Sequence, residues 1–177
     1  MSSPAELVGC SMVKIGPGEL HVTRDPGEAI VTVLGSCVAA CLCDPVAGVG
    51  GMNHFMLPQP GTQGEAEAGS WHGAAARLRY GSVAMAELVE RLQQLGGRVD
   101  RMEAKLFGAA RLGPENGTVG DGNARFAEAF LRRLGLVPRA KELGGVWARR
   151  VAFHAATGRA FMSELREKAP VPRAARG

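Results

Sequence analysis

Apolar positions along the chain come in short runs punctuated by Gly and Pro, with two longer stretches of helical spacing. "CSMVKIG" (10–16) and "ELHVTR" (19–24) predict strands separated by Gly16-Pro17-Gly18, and Asp25-Pro26-Gly27 turns the chain into a third, "AIVTVL" (29–34). "SCVAACLC" (36–43) and "VGGMNHFML" (49–57) read as a hairpin across Asp44–Ala47, whose Asp and Pro suit the first two positions of a type I turn. From Pro58 to Gly69 no periodicity survives, which predicts an exposed loop. Met85, Leu88, Val89, Leu92 and Leu95 then recur at helical spacing before the stop Gly96-Gly97. "MEAKLFG" (102–108) predicts a strand and 109–122 a loop. A second helix is expected over Asn123–Leu134, with Phe126, Phe130, Leu131 and Leu134 on one face and Gly135 closing it. "WARRVAFH" (147–154) and "RAFMSEL" (159–165) make a last hairpin. Two amphipathic helices among about eight strands predict an α+β domain, with helices covering an antiparallel or mixed sheet.

Length and composition narrow this picture. With 177 residues and 46% hydrophobic content, one globular domain over 10–165 is expected, between a flexible N-terminus (1–9) and a flexible basic tail (166–177). The net charge of +4 is dispersed, and six Phe, two Trp and one Tyr offer few stacking platforms, so nucleic acid is not an expected partner. No G-x-G-x-x-G or Walker A pattern follows a strand, which argues against a doubly wound nucleotide fold. The first residues lack a signal-peptide pattern, and no apolar run approaches the roughly 18 residues of a membrane span. No membrane insertion and a cytoplasmic location are therefore expected. In that reducing compartment Cys10, Cys37, Cys41 and Cys43 are packing groups, ligands or nucleophiles rather than a disulfide framework.

Residues 37, 41 and 43 share one strand face, yet side chains two apart lie roughly 6.5 to 7 Å apart, too far for thiolates on one zinc. No C-x-x-C knuckle occurs, so no metal site is expected. Cys41 and Cys43 sit among Val38, Ala40 and Leu42 and read as core packing. Cys37 differs, because Gly35-Ser36 before it lets the backbone bend at a strand junction and expose amide N–H groups suited to an oxyanion. A four-residue loop, Asp44–Ala47, pairs Cys43 with Gly48, makes paired numbers sum to 91 and sets Cys37 opposite His54. A five-residue loop, with a sum of 92, puts them on opposite faces. Thr32 lies close by in sequence. From the residues alone, a buried cysteine beside an incidental histidine and a nucleophile with its base are equal readings. His21, His72 and His154 lack a cysteine or carboxylate cluster and read as surface or satisfied core histidines. Ser36 is given a backbone role.

The stretch "TVLGSCVAACLCDPVAGVGGMNHFMLP" (32–58) resembles the signature of the chemoreceptor glutamine deamidases of bacterial chemotaxis, the CheD family. The resemblance continues at lower density through "LVERLQQLGG", "MEAKLFGAARL", "VGDGNARFAEAFLRRLGL" and "ELGGVWARRVAFHAATGRAF", most of residues 11–165. It implies packed β layers flanked by helices, similar to cysteine-dependent deamidating toxins. It also implies Cys37 as nucleophile, His54 as base and acid, and Thr32 as the residue that positions His54. The implied reaction converts glutamines on the cytoplasmic helical region of methyl-accepting receptors to glutamate and ammonia through a cysteine thioester, with no cofactor. A CheC-type chemotaxis phosphatase is the second partner the resemblance allows. The competing reading is a non-catalytic module that binds receptor or phosphatase. Gly122 and Val146 stand where the family tends to have Arg and Asn, which sets apart any contact made through those positions.

Overall fold

The computed structural model of the protein describes residues 7–61, 73–113 and 117–166. Within them lie strands β1 (Ser11–Lys14), β2 (Glu19–Thr23), β3 (Glu28–Leu34), β4 (Val38–Asp44), β5 (Val49–His54), β6 (Glu103–Gly108), β7 (Pro138–Leu143), β8 (Arg149–His154) and β9 (Arg159–Glu164). The helices are α1 (Gly73–Leu78), α2 (Gly81–Gln94) and α3 (Gly117–Arg133). One sheet has the order β1-β3-β8-β9, parallel only at β1·β3. The other has the order β2-β5-β4-β6-β7, parallel only at β6·β7. Two mixed sheets with helices on one of them are the expected α+β class.

β4 explains why "VAACLCD" shows no alternation. It is central in the five-stranded sheet and buried at every residue. Ala39, Cys41 and Cys43 point into the space between the sheets with Ile30, Met52 and Phe153. Val38, Ala40 and Leu42 point the other way, onto Met85, Leu88 and Leu131 of the helices. Cys41 and Cys43 are thus core side chains, 1% and 3% exposed. α2 buries Met85, Leu88, Val89 and Leu92 of the apolar stripe read from the sequence, and Ala84 besides, while Leu95 is the partly buried C-cap before Gly96.

Four details differ from the sequence reading. The hairpin turn is Pro45–Gly48 rather than Asp44–Ala47, so Asp44 pairs with Val49 and Cys43 with Gly50, and paired numbers sum to 93. The Asp44 carboxylate holds the amides of Val46 and Ala47, and the residue whose φ is positive is Gly48 (+65°), which has to lie inside the turn. α3 starts at Gly117, six residues before the expected Asn123, through a glycine-rich stretch that reads as loop. Gly120 is there because a Cβ would sit 2.8 Å from the Ala109 carbonyl, where helix meets β6. β7, whose Arg139, Lys141 and Glu142 hide any strand pattern, and the short α1 have no counterpart in the sequence reading. His72, most of the 58–69 loop and nearly all of the terminal segments expected to be flexible lie outside the described residues.

Candidate active site

β3 and β5 belong to different sheets, and one polar contact joins them across the core. Thr32, 4% exposed, points inward from β3, and His54, 2% exposed, points inward from the end of β5. The Thr32 hydroxyl donates to the Ile15 carbonyl at 2.8 Å and lies 2.8 Å from His54 Nδ1. A hydroxyl has one proton, and here it goes to Ile15, so Nδ1 must carry the hydrogen that Thr32 accepts. That tautomer leaves a lone pair on Nε2, which is buried and has no hydrogen-bond partner among the described residues. Burial holds the His54 pKa down to about 4, so the ring is neutral near pH 7.

Cys37 lies one residue before β4. Val38 pairs with Phe55, each amide donating to the other's carbonyl, so the ladder runs on to the cysteine's position opposite Met56. A sum of 93 keeps the parity of 91, so Cys37 and His54 share a face as diagonal rather than direct neighbours. Diagonal Cβ atoms on such a ladder lie about 7 to 8 Å apart or somewhat less, within the combined reach of a thiol and an imidazole. Burial pushes the Cys37 thiol up to about 11, partly opposed by its own amide. An open cleft of about 700 Å³ reaches Thr32 and His54 between Ile15, Gly16 and Pro17, with Lys14 and Arg150 along it. Cys37 is half-buried and does not line that cleft.

The loop before Cys37 is fixed by its carbonyls. Gly35 O accepts from Ala110 N and Cys37 O from Ala109 N, both at 2.8 Å. The amides of Ser36 and Cys37 have no backbone acceptor among the described residues, and the Cys37 amide bonds its own sulfur. Asn123, fully buried at the inner side of α3, donates Nδ2 to Ser36 O at 3.1 Å and Met56 O at 2.7 Å. It therefore ties the cysteine loop to the end of the histidine strand, and its Oδ1 has no partner among the described residues. The sequence reading treats Asn123 only as a helix start. Its position one turn ahead of Ala127 and two ahead of Leu131, both fully buried, is the missed signal: a polar residue on an apolar stripe. Gly122, beside it, faces Pro58 loosely, and Val146 is 61% exposed.

His21 bonds Glu28 and His154 bonds Thr157 and the Pro26 carbonyl, so both have structural partners away from the cysteine. No cluster of three His, Cys, Asp or Glu side chains able to hold a metal occurs among the described residues. No helix among them is long and apolar enough to cross a membrane.

A family model described as CheD chemotactic sensory transduction matches residues 56–164, a span that begins beyond Thr32, Cys37 and His54. Relatives matching over more of the chain are each named "Probable chemoreceptor glutamine deamidase CheD". The protein of Caulobacter vibrioides (strain NA1000 / CB15N) is 49% identical over 147 residues, 83% of this chain and 74% of that one. That of Rhodopseudomonas palustris (strain BisA53) is 44% identical over 153 residues, 86% of this chain and 69% of that one. That of Cereibacter sphaeroides (strain ATCC 17029 / ATH 2.4.9) is 42% identical over 162 residues, 92% and 76% of the two chains. With a family model covering more than half its length and relatives this similar over most of theirs, the chain belongs to the CheD family.

Proposed function

We propose that the protein deamidates glutamine side chains on chemotaxis receptors, with Cys37 as nucleophile, His54 as base and acid, and Thr32 holding the imidazole. The observation that carries this is the Thr32–His54 hydrogen bond, which commits Nδ1 as donor and leaves Nε2 as the free acceptor on the face shared with Cys37. The printed names of the relatives supply the substrate class.

The resting pair is a neutral thiol and a neutral imidazole. As a substrate amide approaches, Nε2 takes the thiol proton while sulfur bonds to the side-chain carbonyl carbon. The carbonyl oxygen becomes an oxyanion, and on this reading the amides of Ser36 and Cys37, which have no backbone acceptor among the described residues, are its donors. The C–N bond then breaks as the imidazolium returns its proton to nitrogen, releasing ammonia and leaving a thioester on Cys37. Water gives a proton to Nε2 and attacks the thioester. The thiolate departs and is reprotonated, and the receptor keeps glutamate. Every proton passes through one ring nitrogen, so these steps call on no cofactor. On this reading the protein works in the cytoplasm, on the cytoplasmic helical region of its receptors.

A second reading, a module that binds receptor or a CheC-type phosphatase without turnover, is favoured by the high thiol pKa and by the absence of Cys37 from the cleft wall. Ammonia release on incubation with a receptor cytoplasmic fragment separates the two. Release by the native chain and none by Cys37→Ala supports catalysis, while no release by either supports the binding module.

A further inference from the structure

The helices pack on the five-stranded sheet, and among the described residues no helix covers the outer face of the four-stranded one. Register assigns the residues of that face. Lys14 pairs with Val31, Val31 with Ala152, and Val33 with Arg150, while the alternate residues Ile30, Leu34 and Val151 turn into the core. Met12 and Val33 on this face are 45% and 48% exposed and, with Val31 between them, form an apolar strip beside the two cations. The same residues, Met12, Lys14, Val31, Val33, Arg150 and Ala152, run into the cleft that reaches Thr32 and His54. No Asp or Glu lines that cleft, and neither Lys14 nor Arg150 has an ion-pair partner among the described residues.

We infer that this face docks an acidic amphipathic helix, whose apolar stripe covers Met12, Val31 and Val33 and whose carboxylates, a turn away from the target glutamine, meet Lys14 and Arg150. This rests on the deamidase reading and adds to it what the enzyme recognises around the glutamine. An apolar strip flanked by two unpaired cations is complementary to a helix with an apolar stripe and an anionic edge. Because both cations are exposed, each pair is weak alone, and their value lies in choosing between substrates and steering the encounter. Deamidation itself adds a carboxylate, so a helix modified once becomes a better ligand for this face at its next glutamine.

The test compares two synthetic helices, each with one glutamine and an apolar stripe, with glutamates at i−4 and i+4 in the first and lysines in the second. Binding to the full chain is read by fluorescence anisotropy, and ammonia release is measured in parallel. The acidic helix should bind about tenfold tighter at low salt, with the gap closing towards parity at roughly 1 M salt. The double variant Lys14→Glu/Arg150→Glu should invert the preference. Both residues are exposed, and the salt titration of the native chain gives the answer even if the variant folds poorly. Equal binding of the two helices, a preference untouched by charge reversal in a folded variant, or tighter binding to phosphatidylserine vesicles than to the acidic helix would overturn the inference. A charge-dependent preference without ammonia from either helix would keep the docking face and remove the deamidase reading instead.

Discussion

Burial sets the protonation of both groups proposed to react, with the His54 pKa held down to about 4 and the Cys37 pKa pushed up to about 11. Each has a consequence for stability with a definite sign. Below pH 6.5 the unfolded chain's imidazole takes a proton that folded His54 refuses, so stability falls as pH drops from 6.5 towards 4, by an amount of order 3 kcal/mol. Above pH 9 the thiol ionises in the unfolded chain but not in the folded one, so stability also falls as pH rises towards 11, with Cys43 and Cys41 adding to the loss. Urea unfolding from pH 7 to 4 should therefore show a steeper loss for the native chain than for His54→Asn. Parallel curves would mean that His54 is not the buried neutral base described here. Thr32→Val keeps the shape but removes the acceptor for Nδ1–H, which frees the ring to change tautomer. Turnover should fall about 10- to 100-fold, the scale seen when a hydrogen-bond partner that orients a metal-ligating imidazole is removed, while iodoacetamide still modifies Cys37. Unchanged turnover would take Thr32 out of the site.

Three elements frame the candidate site: the start of β4, the end of β5, and α3 behind them. Asn123 is the connection from α3, since its single amide group serves carbonyls on both sides of the hairpin opening. Asn123→Ala should lower kcat about 10- to 100-fold, with KM little changed, because a displaced cysteine loop misaligns the thiol. A purely structural role would only lower the melting temperature. Leu131→Ala, on the same helix stripe and expected to destabilise by about 2 to 5 kcal/mol, should retain kcat in its folded fraction. At this scale the sequence was most informative where one physical demand dominates. The stripe of α2 and the unbroken apolar run of β4 follow directly from what covers them. It misled where two demands compete in the same residues. Gly117, Gly120 and Gly122 read as a loop by propensity, yet they lie in a helix, where the close approach of Gly120 to the Ala109 carbonyl leaves no room for a side chain at that one position. The sequence leaves open whether Cys37 and His54 share a face, because that depends on the turn. The register that makes them diagonal neighbours follows from the Asp44 carboxylate turning the chain one residue later than expected, a side-chain contact no periodicity reveals. Thr32 was near in sequence, but its contact with His54 crosses between sheets, and only the packed molecule shows it.

At the scale of the whole molecule, the described helices load one sheet, and among the described residues no helix covers the partly apolar face of the other, which runs into the cleft by His54. This arrangement suits a substrate presented on the surface of another folded protein, because remote contacts on the sheet can position an amide for attack. Free glutamine makes none of those contacts and should be a far poorer substrate than a folded receptor fragment. The most direct measurement is peptide mass spectrometry of a receptor cytoplasmic fragment before and after incubation with the native chain and with Cys37→Ala. The predicted result is the mass gain of an amide-to-acid exchange at specific glutamines with the native chain, and none with Cys37→Ala. Glutamines left unchanged by the native chain, or converted equally by the Cys37→Ala variant, would contradict the account.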